Sequence, residues 1–165
     1  MTMVRLDELD LKILKTLQRE GRITKVKLAE AVNLSPSPCW ERLKRLEDLG
    51  VISGYHAHIN LEKLVKPTLV LTEVTLRHHQ HDDFQIFERA VQDIPEIVEC
   101  YALGGGVDYM LKVLCHDVDA YQRLIDRLLV SNIGIDRYFT YIVTKKVKTT
   151  SITPIENLVE PPERK

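Results

Sequence analysis

The segment from Asn33 to Gly50, NLSPSPCWERLKRLEDLG, combines residue types that can bind nucleic acid. Ser35 and Ser37 lie where a helix is predicted to begin, and hydroxyl groups together with the free amides of a helix start can bind phosphate. Long cationic side chains on the same helix can reach base edges or backbone phosphates. These side chains are Arg42, Lys44 and Arg45. The residues alone leave two readings open, DNA binding and a plain solvated helix face.

The element before this segment supports the first reading. Thr24 is a suitable N-cap for a short helix, and Asn33 closes that helix because asparagine tolerates the left-handed conformation of a tight turn. A short helix, a turn and a second helix form a known major-groove binding motif. Lys25 and Lys27, at the start of the short helix, suit contacts to DNA phosphates.

Two prolines open the second helix without breaking it. With Ser35 as N-cap, Pro36 takes the first helical position and Pro38 the third, where a backbone amide has no partner inside the helix. The prolines therefore fix the angle at which the chain enters the helix.

This helix is predicted to have an apolar inner side and a polar outer side. At 100° per residue, the inward stripe consists of Cys39, Leu43 and Leu46. The opposite side consists of Ser37, Glu41, Lys44 and Asp48, with Arg45 beside them. Trp40 lies on the flank next to Lys44, and an aromatic ring in that position needs a packing partner.

A second candidate site is the loop LGGGVDY, residues 103–109. Glycines expose backbone amides and permit positive φ, which suits a ligand carboxylate, and Asp108 supplies a charge for an α-ammonium group. An ordinary hairpin turn explains the same residues and is the favoured reading from the sequence alone. The loop is not a dinucleotide-binding motif, because no helix follows the glycines.

Three histidines, His78, His79 and His81, form the motif HHQH. Imidazoles so close together can bind zinc or copper. Because no cysteine or histidine elsewhere has a matching short spacing, we expect a solvent-facing loop instead, with Asp82 or Asp83 capping the next helix, and no metal.

Nothing in the sequence indicates catalysis. No serine lies in a nucleophile-elbow motif, and no cysteine has an evident histidine partner. The carboxylates near the candidate sites fall at helix starts, where they suit the helix dipole. We therefore expect neither an enzyme nor a cofactor.

The first 50 residues are predicted to form three helices. The first begins at the N-cap Asp7, with Asp10 in a capping-box relation, and ends at Gly21. Its apolar stripe consists of Leu6, Leu9, Ile13, Leu14 and Leu17. After Gly50, the segment VISGYHAHINL favours two short strands around a glycine turn, as in a winged helix-turn-helix.

The remainder alternates strands and helices in the order β-α-β-β-α-β, which is typical of a ferredoxin-like sandwich. The predicted strands are 69–76, 96–103, 107–114 and a long final strand, 136–148. Phe84, Phe87 and Val91 recur 37 residues later as Tyr121, Leu124 and Leu128. A doubled β-α-β unit explains this offset.

Composition is that of an ordinary globular protein, with 165 residues, 44% hydrophobic, and a net charge of -1. Residues 1–60 carry ten Lys/Arg and eight Asp/Glu, a difference of +2, against -3 for the remainder, so charge alone does not identify a DNA-binding protein. The three cysteines, Cys39, Cys100 and Cys115, are expected to pack as small apolar residues. No apolar run approaches the ~20 residues of a membrane span, and we expect a cytoplasmic protein.

The first module, from LDLKILKTLQREG through LSPSPCWERLKRLE to GVISGY, closely resembles the N-terminal module of the leucine-responsive regulatory protein/AsnC family of transcription regulators. The second half, with ALGGGVDYMLKV between strands, resembles the amino-acid-sensing domain of that family. The resemblance covers about residues 4–150, both modules in the family's order. It implies an α+β protein, a winged-type helix-turn-helix followed by a ferredoxin-like βαββαβ sandwich. Trp40 departs from the pattern, since aliphatic residues are common there.

The pattern and the resemblance together predict two sets of site residues. Those expected to contact DNA are Lys25, Lys27, Ser35, Ser37, Pro38, Trp40, Glu41, Arg42, Lys44 and Arg45. The resemblance places small effectors between the sensing domains of neighbouring subunits. The effector residues it implies, by position, are Ala102, Gly104, Gly106, Asp108, Val118, Tyr141, Ile142 and Val143.

We therefore expect a sequence-specific transcription regulator whose assembly and DNA affinity respond to an amino acid or a related catabolite. Its expected partners are double-stranded DNA, that effector, and further copies of itself, in a dimer or an octamer-like assembly. Tyr138 and Tyr141 on the last strand are expected to offer an association surface. The predicted boundaries are 1–60 for the helix-turn-helix domain, 61–68 for a linker, 69–148 for the sensing domain and 149–165 for an extended tail. An architectural DNA-binding protein and a stand-alone amino-acid-binding module are the alternatives.

Overall fold

The computed structural model describes residues 4–159, and they form two compact units. The head unit contains the residues up to His58 together with those from Lys148 onward, and the sheet unit contains Ile59–Val147. The helices of the head unit are α1 (Glu8–Arg19), α2 (Lys25–Ala31), α3 (Pro36–Asp48) and the short α6 (Ile155–Leu158). The sheet unit has a 3₁₀ turn (Leu61–Lys63), β1 (Thr68–Leu76), α4 (His81–Gln92), β2 (Ile97–Ala102), β3 (Tyr109–Cys115), α5 (Val118–Val130) and β4 (Ile135–Ile142).

The three predicted helices of the head begin at the predicted caps. The Asp7 carboxylate accepts hydrogen bonds from the amides of Leu9 and Asp10. The Asp7 amide in turn donates to the Asp10 carboxylate, so the capping box is complete. Thr24 caps α2 through the Lys27 amide. Asn33 has φ of 58°, the left-handed turn conformation expected between α2 and α3.

The core of the head is built from the predicted apolar stripes. On α3 the inward residues Cys39, Leu43 and Leu46 are all buried, as the 100° periodicity predicts. They pack with residues of the two preceding helices. These partners are Ile13, Leu14, Leu28, Ala29 and Val32.

The tail departs from the extended chain that we expected. Residues 155–158 form α6, and Ile155 packs against the core of the head. Lys15 on α1 pairs with Glu156 at 3.0 Å, and the Gln18 side chain accepts the Thr153 amide. An apolar residue with a surface to bury explains the difference, because burial offsets the cost of ordering the chain. Residues 160–165 of the predicted tail lie outside the described residues.

The strands predicted after Gly50 do not form. Residues 51–60 contain no strand, and from Ser53 to Asn60 every residue is exposed. Val51 and Ile52 instead pack against the core of the head, and the Tyr55 hydroxyl donates to Glu47 on α3 at 2.8 Å. An isolated two-stranded hairpin is marginal in water, and within the described head it has no sheet to join.

The sheet unit has the predicted β-α-β-β-α-β order. Its four strands lie in the order β2-β3-β1-β4, and all neighbours are antiparallel. Alternate residues of β1 and β3 are buried, so one face of the sheet carries both helices and the core. The residues that recur at an offset of 37 all pack in this core, with Phe84 partly buried.

The second face of the sheet carries no helix of this unit. Residues that alternate with the core residues along each strand lie on this second face, and many of them are apolar. We call this set the open face: Leu69, Leu71, Glu73, Tyr101, Met110, Lys112, Leu114, Phe139 and Tyr141. Phe139 and Tyr101 remain about half exposed, at 51% and 52%.

The last strand is shorter than predicted. It ends at Ile142, and the final ladder bond runs from the Val143 amide to the Leu69 carbonyl. Pro67, just before β1, has no amide to continue the ladder. Tyr138, expected on an association surface, instead faces the helices and packs against the core, whereas Tyr141 lies on the open face.

A short chain of hydroxyl groups joins α5 to the sheet. The Tyr121 hydroxyl bonds the Thr72 hydroxyl at 2.9 Å and the Thr140 hydroxyl at 2.7 Å. Thr72 is fully buried, so this bond satisfies a polar group that water cannot reach.

Within the described part of the chain, no helix is long and apolar enough to cross a membrane.

Candidate nucleic-acid interface and ligand half-sites

The outer side of α3 is exposed along its whole length. Ser37, Glu41, Lys44 and Asp48 all lie in solvent, opposite the buried stripe. We call these four residues the α3 ridge. Two flanks border the ridge, one carrying Trp40 and the other Arg42 and Arg45. The ridge therefore presents polar and cationic groups on a rigid helix.

The flank with the arginines is committed to contacts inside the head. Asp10 on α1 is completely buried, and its two oxygens accept Arg42 Nη1 at 2.9 Å and Arg45 Nη2 at 2.6 Å. Arg42 Nη1 also donates to Asp7 Oδ2 at 2.6 Å. A buried carboxylate needs such partners, because an unpaired charge away from water is costly. Arg42 therefore joins α3 to the start of α1 rather than extending freely toward DNA.

The pKa values of these groups agree with a tight contact. Partial burial alone would raise the pKa of Asp7, but the Asp10 amide and the Arg42 guanidinium outweigh it, so the pKa of Asp7 is lowered from 3.8. Hydrogen bonds to Asp7 and Asp10 raise the pKa of Arg42. The Asp7 carboxylate and the Arg42 guanidinium therefore stay charged near neutral pH.

Sequence reasoning missed Asp10, although a signal was present. Asp10 precedes Ile13, Leu14 and Leu17 by three, four and seven residues, so it lies on the inward stripe of α1. An acidic residue within an apolar stripe predicts a buried charge with a cationic partner. The partners, Arg42 and Arg45, lie 32 and 35 residues away, and nothing in the sequence near Asp10 indicates them.

Trp40, on the other flank, has the packing partner that its position requires. The Nζ atom of Lys25, the first residue of α2, lies 3.1 Å from the centroid of the Trp40 ring. A cation over an indole face is attracted by the ring quadrupole. Trp40 is still 38% exposed, and Lys25 and Lys27 are both exposed.

The helix start itself is available. Ser35 is the N-cap residue of α3, but its side chain makes no capping hydrogen bond. Ser35, Ser37 and Pro38 are exposed. The hydroxyls and the free amide at this helix start can donate hydrogen bonds to a phosphate.

The glycine loop, residues 103–108, differs in conformation from what we expected. Only Gly105 has a positive φ, so Gly104 and Gly106 do not use the freedom that we invoked for them. A Cβ atom at any of the three would meet nothing within 4 Å. Contacts within the chain therefore do not explain the glycines, and the space beside the loop backbone is open.

Asp108 fixes the loop to the end of β1. Its Oδ2 atom accepts the Leu76 amide at 2.7 Å and lies 3.2 Å from His79 Nε2. The Asp108 amide in turn donates to the Val74 carbonyl. The carboxylate that we expected to meet an α-ammonium group thus already has partners in its own chain.

The predicted effector residues fall at opposite ends of the sheet. The glycine loop precedes β3, at the level where Tyr109 pairs with Val74. The second group, Val118 with residues 141–143, lies at the level where Ile142 pairs with Val70. Four residues of β1 separate these levels, or about 13 Å at ~3.3 Å per residue. The predicted effector residues therefore form two separate candidate half-sites in one chain, and a single amino acid cannot contact both.

Both half-sites are open to solvent. The loop half-site consists of Ala102, Gly104, Gly106 and Asp108, and all but Asp108 are exposed. In the strand half-site, Val118, Tyr141 and Ile142 are 48 to 49% exposed, and Val143 is half-buried. Partial desolvation and the negative charge of Glu73 raise the pKa of Tyr141, whose hydroxyl donates to that carboxylate at 3.2 Å.

The histidine motif and the cysteines make local contacts. His79 lies beside Asp108, and His81 bonds Gln85 on the next turn. Within residues 4–159, no group of three or more His, Cys, Asp or Glu side chains is placed to hold a metal ion. Cys39 and Cys115 are buried and Cys100 is half-buried, and burial raises the pKa of each thiol.

Two family models match the chain. The Lrp/AsnC ligand-binding domain matches residues 69–153, and a winged helix-turn-helix DNA-binding domain matches residues 6–53. The transcriptional regulatory protein DoeX of Halomonas elongata is 58% identical over 148 residues, covering 90% of this chain and 94% of DoeX. The leucine-responsive regulatory protein of Escherichia coli K12 is 42% identical, covering 88% and 89%.

Solved structures agree with these matches. A transcriptional regulator from Neisseria meningitidis, crystallised as a complex with L-Met, superimposes with a TM-score of 0.86 at 36% identity. The alignment covers 94% of this chain and 100% of that one. The predicted fold class, a winged-type helix-turn-helix followed by a ferredoxin-like α+β domain, is confirmed. The chain belongs to the Lrp/AsnC family and is a transcription regulator with a DNA-binding helix-turn-helix and a ligand-binding domain.

Proposed function

We propose that this regulator binds its operators through the α3 ridge and that an amino acid or a related catabolite controls its assembly and DNA affinity. The observation that carries the proposal is the exposed ridge on a helix whose opposite side is buried in the head, together with two open half-sites on the sheet unit. The DNA-binding residues are those predicted from the sequence, with a changed role for two of them.

On the DNA side, Lys44, Ser37 and Glu41 contact base edges or nearby phosphates from the ridge. Lys25, Lys27, Ser35 and Pro38 lie around the two helix starts, where phosphate contacts position the head. Arg45 keeps part of its guanidinium in solvent, with a side chain 46% exposed, while it bonds Asp10. Arg42, only 29% exposed, holds α3 in place and contributes indirectly.

Self-association is supported by the open face. The aromatic side chains Phe139, Tyr141 and Tyr101 stand about half exposed on a sheet face that the helices of its own unit leave uncovered. Exposed aromatic and apolar side chains around two charged ones, Glu73 and Lys112, are typical of a protein–protein contact surface. A second copy of the chain, with the same face, fits it by two-fold symmetry.

The two half-sites support a ligand site shared between copies. A ligand carboxylate fits the open backbone of the glycine loop, since nothing within 4 Å occupies that space. The strand half-site on a neighbouring copy supplies Tyr141, Ile142 and Val118 for the remainder of the ligand. The effector therefore binds only in an assembly of copies.

A shared site makes the effector a switch by linkage. The ligand favours whichever assembly brings the loop of one copy to the strand of another, and that assembly sets the spacing of the head units. Pairing two heads raises their effective concentration on DNA and requires two half-sites in the operator.

The test begins with DNA selected from a random library by the purified protein. Operator affinity and sedimentation velocity are then measured while each of the common amino acids is titrated. We expect at least one amino acid to change both quantities together. Gly106→Leu, which fills the open space of the loop, should abolish this response, whereas Val130→Ala, at an 85% exposed position on α5, should keep it.

Two outcomes contradict the proposal in different ways. If no amino acid or amino-acid catabolite changes either quantity, the effector half of the proposal is wrong. If the selected DNA binds no more tightly than random DNA and affinity falls steeply with salt, the protein is an architectural DNA-binding protein.

A further inference from the structure

Lys25 and Trp40 form a pair that joins the two helices of the helix-turn-helix. Lys25 is the first residue of α2, and Trp40 lies in the second turn of α3. The ammonium Nζ stands 3.1 Å from the ring centroid. One face of the indole is therefore occupied by a fixed positive charge.

The pair is not required to fill the core of the head. Trp40 belongs neither to the buried cluster nor to the residues packed against it. Cys39 and Leu43, on the neighbouring inward stripe of α3, are 2% and 6% exposed, whereas Trp40 is 38% exposed. The part of this large aromatic ring that stays in water is apolar, so its exposed edge is free to bind something else.

The position of the ring limits what it can contact on DNA. In a helix-turn-helix, the first residues of the second helix contact base edges in the major groove, while the preceding helix crosses the backbone. Indole has one N–H donor and no acceptor, so it cannot make the bidentate contacts that identify guanine or adenine. The C5-methyl group of thymine is the apolar group that the major groove presents to it.

We propose that Lys25 and Trp40 act as one specificity element, in which the indole contacts the C5-methyl group of a thymine and the ammonium binds a phosphate of the same half-site. This inference rests on the proposed DNA contact of α3. The indole holds the ammonium before DNA binds, so less side-chain freedom is lost when the phosphate contact forms. The element confers a preference for one A·T pair in each half-site of the operator.

Thymine-to-uracil substitution tests the methyl contact without changing the protein. Each thymine of the selected operator is replaced in turn by uracil, which keeps the base pair and removes only the methyl group. For wild-type protein we expect one position in each half-site where binding weakens about fourfold, the effect of one buried methyl-sized group. With Trp40→Ala, the same substitution should have no effect, and Trp40→Phe should keep part of it.

The phosphate contact has its own measurement. Lys25→Met should lower the slope of log affinity against log salt by about one. Lys63→Met, at an exposed lysine of the sheet unit, is the matched control and should leave the slope unchanged. Circular dichroism of each variant shows whether the helices are retained.

The outcomes separate this inference from the proposed function. If the protein binds its selected operator specifically but no uracil position weakens wild-type binding, the methyl contact does not exist. The inference is also wrong if uracil weakens binding of wild-type and Trp40→Ala equally, because the methyl group then meets another side chain. If no DNA is selected at all, the proposed DNA contact fails, and this inference fails with it.

Discussion

Asp10 is the residue whose loss should damage the head unit most. Its carboxylate is fully buried and accepts three hydrogen bonds, from Arg42, Arg45 and the Asp7 amide. Asp10→Ala removes both carboxylate oxygens and with them all three hydrogen bonds. It therefore breaks the capping box of α1 and the connection from α1 to α3.

The magnitude follows from these contacts. Loss of a capping interaction costs about 0.5–1 kcal/mol. Removing one partner of a buried ion pair costs up to about 3–5 kcal/mol when the other charge stays buried. Here the side chains of Arg42 and Arg45 are 29% and 46% exposed and can regain water, so we take about 1–2 kcal/mol for this part. The sum is about 1.5–3 kcal/mol.

Urea unfolding followed by tryptophan fluorescence measures the loss of stability of the head unit itself. Trp40 is the only tryptophan and lies in the head. With a slope of about 1 kcal/mol per M for a small domain, the midpoint for Asp10→Ala should fall by about 1.5–3 M. Asp10→Asn keeps one acceptor oxygen and should give an intermediate value.

Glu30→Gln is the matched control, because it removes one negative charge from an exposed position on α2. Its midpoint should stay within about 0.5 M of wild type. Equal midpoints for Asp10→Ala and Glu30→Gln would show that the buried carboxylate does not hold the helices together.

Three further predictions concern packing and pH. Ile155→Asp should destabilise the head by about 1–2 kcal/mol by fluorescence, because the tail loses its buried contact, whereas Leu158→Asp, 71% exposed, should not. Tyr121→Phe should weaken amide-exchange protection of β1 by about 1–3 kcal/mol, because a buried threonine hydroxyl loses its partner, and Tyr141→Phe should leave it intact. The lowered pKa of Asp7 means that its carboxylate stabilises the head above the unfolded value of 3.8. This contribution is lost as pH falls below 3.8, so the stability difference between wild type and Asp7→Asn should shrink there.

Local sequence patterns predicted the helices and strands well, because the residues that determine each boundary lie next to it. The N-cap residues Asp7 and Thr24, the prolines of α3 and the left-handed Asn33 each lie next to the boundary that they determine. The alternation of β1 likewise predicted which face packs on the helices. Such signals come from residues within one turn or one strand of each other.

Features that depend on distant residues were not predicted. The contact from Asp10 to Arg42 and Arg45 joins helices more than 30 residues apart, so Arg42 was read only as a DNA contact. The strands expected after Gly50 did not form, since strand propensity needs a partner strand. The short α6 forms because Ile155 finds a surface on the head, which the tail sequence alone does not reveal.

The effector residues show a further limit. Resemblance gave eight positions as one set, and the register of β1 separates them into two half-sites. Sequence proximity cannot show which strand end each residue occupies, because that depends on which strands pair. The division is what makes a shared site the better proposal.

The central claim, that the α3 ridge contacts the operator, is tested most directly through Lys44. Affinity for the selected operator is measured for wild type, Lys44→Ala and the control Lys63→Ala, which removes an exposed lysine from the sheet unit. We predict that Lys44→Ala weakens operator binding about tenfold, from a lost contact worth ~1.4 kcal/mol, while Lys63→Ala binds as wild type. Operator binding by Lys44→Ala at full wild-type affinity and specificity would contradict the claim.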